Sequence, residues 1–318
     1  VGLKLLVGPA NAGKVSLLLE RYFDVLGREP ILIVPTGSDV ERVERELVAK
    51  HGCVFGGSIG TFDDVFARIA WGDASRPVAT EAQQQLALRR AVGRASLNGL
   101  SASARSMGFA ETLREAIREL QGALLEPDRI EGDLAHLYSA YRAELESLGL
   151  WDRELLRAHA VARLEGDLES WHGEPVFAYG FEDLTEAEWS LLRALAGRTE
   201  VTVSLPYEPG RAAFDSLRRT AEDLGALATD GIEELPPASA DVAEPAIAYV
   251  ERSLFDEPAG EAPPIAGAVG FLEGAGVRGA LELVGNEILE LVRGGCAPEA
   301  IGVVCPSLGR WRAPLETV

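Results

Sequence analysis

The sequence predicts an α/β fold built on a parallel sheet and interrupted by a block of helices. Three observations carry this. The apolar runs Leu3–Val7, Ile31–Val34, Pro175–Tyr179 and Val201–Leu205 are continuous rather than alternating, as in strands covered on both faces. Helical patterns separate the runs, the arrangement that parallel strands require. Between Thr80 and about Glu169 the strand signal vanishes, and only apolar spacings of three and four remain.

Each element follows in order. Leu3–Val7 is a strand, Lys14–Leu26 a helix and Ile31–Val34 a second strand. Val40–Lys50 is a helix with Val40, Val43, Leu47 and Val48 on one side and Glu41, Arg42, Glu44 and Arg45 on the other. Val54–Ile59 is expected as a third strand, and Thr61 as the cap of a helix Phe62–Trp71. Thr80-x-x-Gln83 reads as a capping box opening a helix to Arg94. Helices Phe109–Leu124, Asp128–Leu148 and Asp152–Leu164 follow, parted by turns at Glu126-Pro127 and Leu148-Gly149. Alternation resumes with strand Pro175–Tyr179, helix Thr185–Ala196, strand Val201–Leu205 and a helix near Arg211–Leu227. Residues 235–264 read as an acidic linker around a helix Pro245–Phe255. A last unit is expected as strand Val269–Leu272, helix Arg278–Arg293 and strand Ile301–Cys305. The abrupt finish at Val318 reads as the edge of something larger.

Composition narrows the function classes. At 318 residues and 47% apolar, the chain has room for two or three cores, with no run long enough to span a membrane. Cys53, Cys296 and Cys305 lack metal spacing and are expected as buried thiols in a reducing cytoplasm. His51, His136, His159 and His172 are scattered, so no metal site is expected. The net charge is −20, and residues 171–265 contribute most, with 6 basic and 19 acidic side chains. Such a field opposes non-specific DNA binding, so weak DNA affinity is expected of this chain alone.

The strongest motif is Gly8-Pro9-Ala10-Asn11-Ala12-Gly13-Lys14-Val15-Ser16. It fits G-x-x-x-x-G-K-[ST] except at the last position. A strand leads into a glycine-bounded turn, and the following helix offers N–H groups and its dipole to an anion. Lys14 is one of only three lysines among 30 basic residues. Gly8, Ala12, Gly13, Lys14, Val15 and Ser16 are therefore candidate nucleotide-binding residues. Val15 removes the hydroxyl that should hold Mg²⁺. Cleavage also needs carboxylates at the end of a nearby strand. The strand at 175–179 ends in Tyr179-Gly180 instead, and Glu182 and Asp183 read as a charged cap of the next helix. No catalytic residue is assigned.

The order of phosphate loop, Ile31–Thr36, Gly60–Val65, helical block and Phe177–Asp183 resembles a superfamily 1 helicase of the UvrD type. Within that group it is most similar to the B subunit of AddAB-type helicase–nucleases, related to the gamma subunit of exonuclease V. The resemblance also draws on Val203–Glu208, Leu272–Ala275 with Glu282, Ala297–Val304, and Tyr138, Tyr141, Arg142, Gly149, Asp152, Leu155 and Leu156. It implies a RecA-like P-loop sheet with an inserted all-helical subdomain and the start of a second RecA-like domain. The implied parts are 1–75 with the phosphate loop, the helical insertion 76–170, the second part with the acidic linker 171–265, and the second domain from 266 to 318. It further implies an inactivated helicase-like subunit in bacterial DNA-break repair, scaffolding a motor–nuclease partner and guiding or scanning DNA. ATP would be held structurally, with Mg²⁺ weak or absent. Active relatives carry Asp-Glu where this chain has Tyr179-Gly180. Thr36, Thr61 and Phe62 stand where such helicases touch single-stranded DNA, although a helix cap for Thr61 and a core aromatic for Phe62 are the favoured explanations. Two alternatives remain open: an active DNA-dependent ATPase using Ser16 and Asp183, and a structural module with a vestigial loop.

Overall fold

A computed structural model describes residues 1–53, 55–72, 75–238, 243–257, 260–265 and 267–318. Two compact units are present, Val1–Val242 and Ala243–Val318.

The first unit is built on a six-stranded sheet: β1 (Gly2–Gly8), β2 (Ile31–Ile33), β3 (Ser58–Gly60), β4 (Val176–Tyr179), β5 (Glu200–Pro206) and β6 (Ile232–Glu234). The spatial order is β3-β2-β4-β5-β1-β6, and every pairing is parallel. The two-residue period of a strand sends neighbouring side chains to opposite faces. Leu3, Leu5, Val7, Val176, Ala178, Val201 and Val203 enter one core. Leu6, Leu32, Phe177 and Tyr179 enter the other, against Leu18 and Tyr22 of α1 (Lys14–Asp24) and Val43 and Leu47 of α2 (Gly37–His51). On the first face pack α3 (Phe62–Ala70), α7 (Arg153–Gly166), α8 (Glu186–Ala196) and α9 (Arg218–Leu227).

Between β3 and β4 the chain forms α4 (Glu81–Arg94), α5 (Phe109–Gly122) and α6 (Asp133–Leu148). Their buried faces make a separate core that includes Leu88, Ile117, Leu137, Tyr138 and Tyr141. The helical stretch therefore divides. Its last helix, α7, sends Ala160, Val161 and Leu164 into the sheet-side core. The stretch is tied at its neck, where Ala79 N donates to Trp151 O (2.7 Å) and Trp151 N donates to Pro77 O (3.0 Å).

Several expectations need correction. The helix expected from Asp128 begins at Asp133, after a 3₁₀ turn at Pro127–Arg129 and a glycine at φ 75°. The one near Arg211 opens as a 3₁₀ segment Ala212–Leu217 before α9. The third strand is only Ser58–Gly60, and Val54 lies outside the described residues. Strand β6 has no counterpart among the expected elements. In the second unit, α10 (Pro245–Ser253), α11 (Gly276–Arg293) and α12 (Leu308–Thr317) form, but Val269–Leu272 and Ile301–Cys305 are not strands. Cys53 is exposed and Cys296 and Cys305 are half-buried, so the expected buried thiols are not found.

Candidate functional site

Because all six strands are parallel, their carboxyl ends share one edge of the sheet. The turn after β1, Thr36 after β2, Thr61 after β3, Gly180 after β4 and Tyr207 after β5 all leave from that edge. It is where ligands sit in open α/β sheets.

Gly13 takes φ 81° as the residue preceding α1, a left-handed conformation that favours glycine. Gly8 is required by space: a Cβ there would lie 2.8 Å from Leu235 O and 3.1 Å from the Ala12 Cβ. Gly8, Ala12 and Lys14 are buried, whereas Gly13, Val15 and Ser16 are exposed. Among the described residues no acceptor pairs with the backbone N–H of Gly13, Lys14, Val15 or Ser16, the usual orphan donors of a helix start. The Lys14 side chain is turned into its own loop. Its Nζ donates to Gly8 O (2.8 Å) and Pro9 O (2.5 Å), and burial lowers its pKa. Val15 is 36% exposed at the position after the lysine.

The end of β4 is not beside β1, because β5 lies between them. Tyr179 is buried in the core that holds α1 and α2, and Arg42 Nη2 of α2 donates to its hydroxyl oxygen (3.4 Å). Burial raises the Tyr179 pKa, with Arg42 opposing the shift. Arg42 also reaches Asp39 (3.1 Å) and Glu46 (3.2 Å). Gly180 follows at φ 86°, with space for a Cβ only 2.9 Å from Pro35 Cγ. Neither residue presents a carboxylate. Glu182 and Asp183 are exposed and lie before the helix rather than capping it. Asp183 Oδ1 accepts from Leu184 N (2.9 Å), and Thr185 with Glu188 forms the capping box.

Thr36 caps α2, its Oγ1 accepting from Asp39 N (3.2 Å). Thr61 caps α3 in a capping box with Asp64. Phe62 is 4% exposed, and its ring packs at 4.7 Å from that of Phe181, just beyond β4. Its role in this structure is packing.

Sequence reasoning missed two charged groups. One is Arg42, whose pairing with Asp39 and Glu46 follows helical spacing but whose reach to Tyr179 does not. The other is Arg157 of α7, 10% exposed at its side chain. It pairs with Asp63 (2.7 Å) at the start of α3 and with Glu154 (3.1 Å), and lies 4.0 Å from Glu188 of α8. Its guanidinium also sits 5.5 Å from the centre of the Phe66 ring. Among the described residues no cluster of three or more His, Cys, Asp or Glu is disposed to hold a metal ion. No helix among them is long and apolar enough to cross a membrane.

No protein-family model matches the chain. It is similar to proteins named as the B subunit of an ATP-dependent helicase/deoxyribonuclease. The relative from Desulforudis audaxviator is 27% identical over 92% of this chain. That from Moorella thermoacetica is 26% identical over 92%, and that from Bacillus velezensis 24% identical over 93%. The chain spans 29% of the length of each. The agreement of these matches along nearly the whole chain relates it to the B subunits of ATP-dependent helicase/deoxyribonucleases.

Proposed function

We propose that the chain is part of a helicase-like subunit that holds a nucleotide without cleaving it, within a bacterial helicase–nuclease acting in DNA double-strand-break repair. In this reading the sheet is a RecA-like P-loop domain, α4 to α6 with their neck are its helical insertion, and Ala243–Val318 begins a second RecA-like domain. The observation that carries the reading is the end of β4. Tyr179 and Gly180 stand there, and Arg42 engages the tyrosine hydroxyl.

The turn fits a phosphate and does not fit a metal. Gly13 to Ser16 offer unpaired N–H groups at a helix start, a favourable place for anionic oxygens. Lys14 would meet the same phosphate by exchanging its two carbonyl partners for it. Val15 offers Mg²⁺ nothing, so ATP would be held with Mg²⁺ weakly bound or absent. Phosphoryl transfer draws its acceleration from charge stabilisation and a positioned water, and this sheet edge supplies neither a metal ligand at residue 15 nor a carboxylate at residues 179–180.

The protein would work in the cytoplasm beside a motor–nuclease partner and meet DNA mainly within that complex. Thr36 and Thr61 would contact phosphates from the sheet edge. Phe62 would have to leave Phe181 before it could stack on a base. One observation favours a second reading, a vestigial loop in a purely structural module: Lys14 already satisfies its charge inside the fold.

Calorimetric titration with ATP, with and without Mg²⁺, tests both readings, followed by a phosphate-release assay with single-stranded DNA. The expected result is binding that chelation of Mg²⁺ does not abolish, with no turnover. Turnover would overturn the inactive assignment and favour catalysis through Ser16 and Asp183. Absence of binding would leave the structural module.

A further inference from the structure

Helices α4, α5 and α6 and the start of α7 enclose a cavity of about 250 Å³, away from the phosphate loop. The spacing of the sequence builds it: Leu88 of α4, Ile117 and Gln121 of α5, and Tyr141 of α6 all point inward at helical intervals. Leu88, Ile117 and the ring of Tyr141, all at most 2% exposed, give apolar walls, and the Tyr141 hydroxyl is turned to Asp152.

The polar lining is layered by depth. Asp152 and Glu154 are 5% and 8% exposed. Both have partners and spare capacity. Asp152 Oδ1 accepts from Leu155 N (2.8 Å), and Oδ2 accepts from Gln121 Nε2 (3.0 Å). The two oxygens of Glu154 face a single nitrogen of Arg157, at 3.1 and 3.3 Å. An ionised carboxylate has about four acceptor sites, so each retains room for a donor. Burial raises the Glu154 pKa, as expected of a carboxylate short of donors. Nearer solvent stand three arginines and the exposed carboxylate of Glu115. Arg114 is held by Glu81 and Glu111, and Arg153 by Asp63. Arg118 is exposed and, among the described residues, has no protein partner. Arg118, Arg153 and Glu154 also line an adjoining cleft of about 830 Å³.

We infer that this cavity binds a small molecule with a hydrogen-bond-donating amino or amidine head and an anionic tail. The head would face Asp152 and Glu154, and the tail would reach Arg118 at the mouth and extend into the adjoining cleft. An amino-bearing mononucleotide and a basic amino acid share this chemistry.

The test is calorimetry on the full chain with AMP and with L-arginine, each paired with an analogue lacking the donor head, purine riboside 5′-monophosphate and L-norvaline. Adenosine, which has no tail, completes the set. At least one parent compound should bind below about 1 mM. Its headless analogue should be weaker by at least about 10-fold, since a site built to accept a donor rejects a ligand without one. R118A, at an exposed position, should weaken the parent about 10-fold or more. Photo-crosslinking with azido-AMP separates this site from the phosphate loop, with label expected on peptides of α4 to α7 rather than on residues 8–16. Lack of binding by both parents overturns the inference, as does equal binding of parent and headless analogue, retention in R118A, or label confined to the loop.

Discussion

Replacing Lys14 by alanine should destabilise the protein even without any ligand. Lys14 is 7% exposed, and its ammonium donates to two main-chain oxygens, Gly8 O and Pro9 O. A hydrogen bond from a charged group contributes about 1.5–3 kcal/mol. Two bonds from one nitrogen do not add fully, and removing the amine also removes the cost of burying its charge, which is what lowers the Lys14 pKa. The net expectation is a loss of about 1–3 kcal/mol. Urea unfolding followed by circular dichroism measures it, taking the transition of the Val1–Val242 unit, since the chain comprises two units and need not unfold in one step. A pH series sharpens the test. A lysine whose folded pKa lies below the unfolded value of 10.5 binds fewer protons in the native state between the two values. Wild-type stability therefore rises with pH across that window relative to K14A, and the gap between them widens as pH 10.5 is approached. A variant as stable as wild type at pH 8, with a gap independent of pH, would refute a structural role for the ammonium.

Three further substitutions probe the frame around the loop. G180A should cost about 1–3 kcal/mol, because φ is 86° and the new methyl would press on Pro35; an unchanged thermal midpoint would refute this. R157M should cost about 3–5 kcal/mol by leaving Glu154 buried without its partner. Burial already raises the Glu154 pKa, so the native state holds its proton to higher pH and the R157M deficit should be smaller at pH 5 than at pH 8, as parallel urea titrations would show. T61A should cost about 0.5–2 kcal/mol through loss of the α3 capping box, read from the same titrations.

The elements that could be read from sequence are those whose signals are local. The caps at Thr61 and Thr80 need only a hydroxyl and an acid or amide three residues on, and both form. The buried strands announce themselves because each face meets helices, so apolar residues run without a break. Strand β6 gives no such signal: Ile232-Glu233-Glu234 is short, acidic at two of its three residues and at the sheet edge, and pairing with β1 alone makes it a strand. The converse holds at Val269–Leu272 and Ile301–Cys305. Their composition suits strands, yet extended segments need hydrogen-bonded neighbours, and none is present among the described residues. At the candidate site, the glycines and lysine of the turn follow a short-range pattern. The Arg42–Tyr179 contact joins residues 137 apart, and the cavity beside Arg118 draws on four helices, so neither has a local signature.

The pairing of β1 has a consequence for how the chain is made. Gly2 is in register with Glu200, and Leu5 with Ile232. This strand thus has no neighbour on either side until about two hundred more residues have been synthesised. At roughly 5–20 residues per second, that is a wait of about 10–40 s. During it the emerging segment presents Leu3, Leu5, Leu6 and Val7 with both edges open. Contacts this distant in sequence also make folding slow. The strand that leads into the Gly8–Gly13 turn is thus the one left unpaired longest during synthesis.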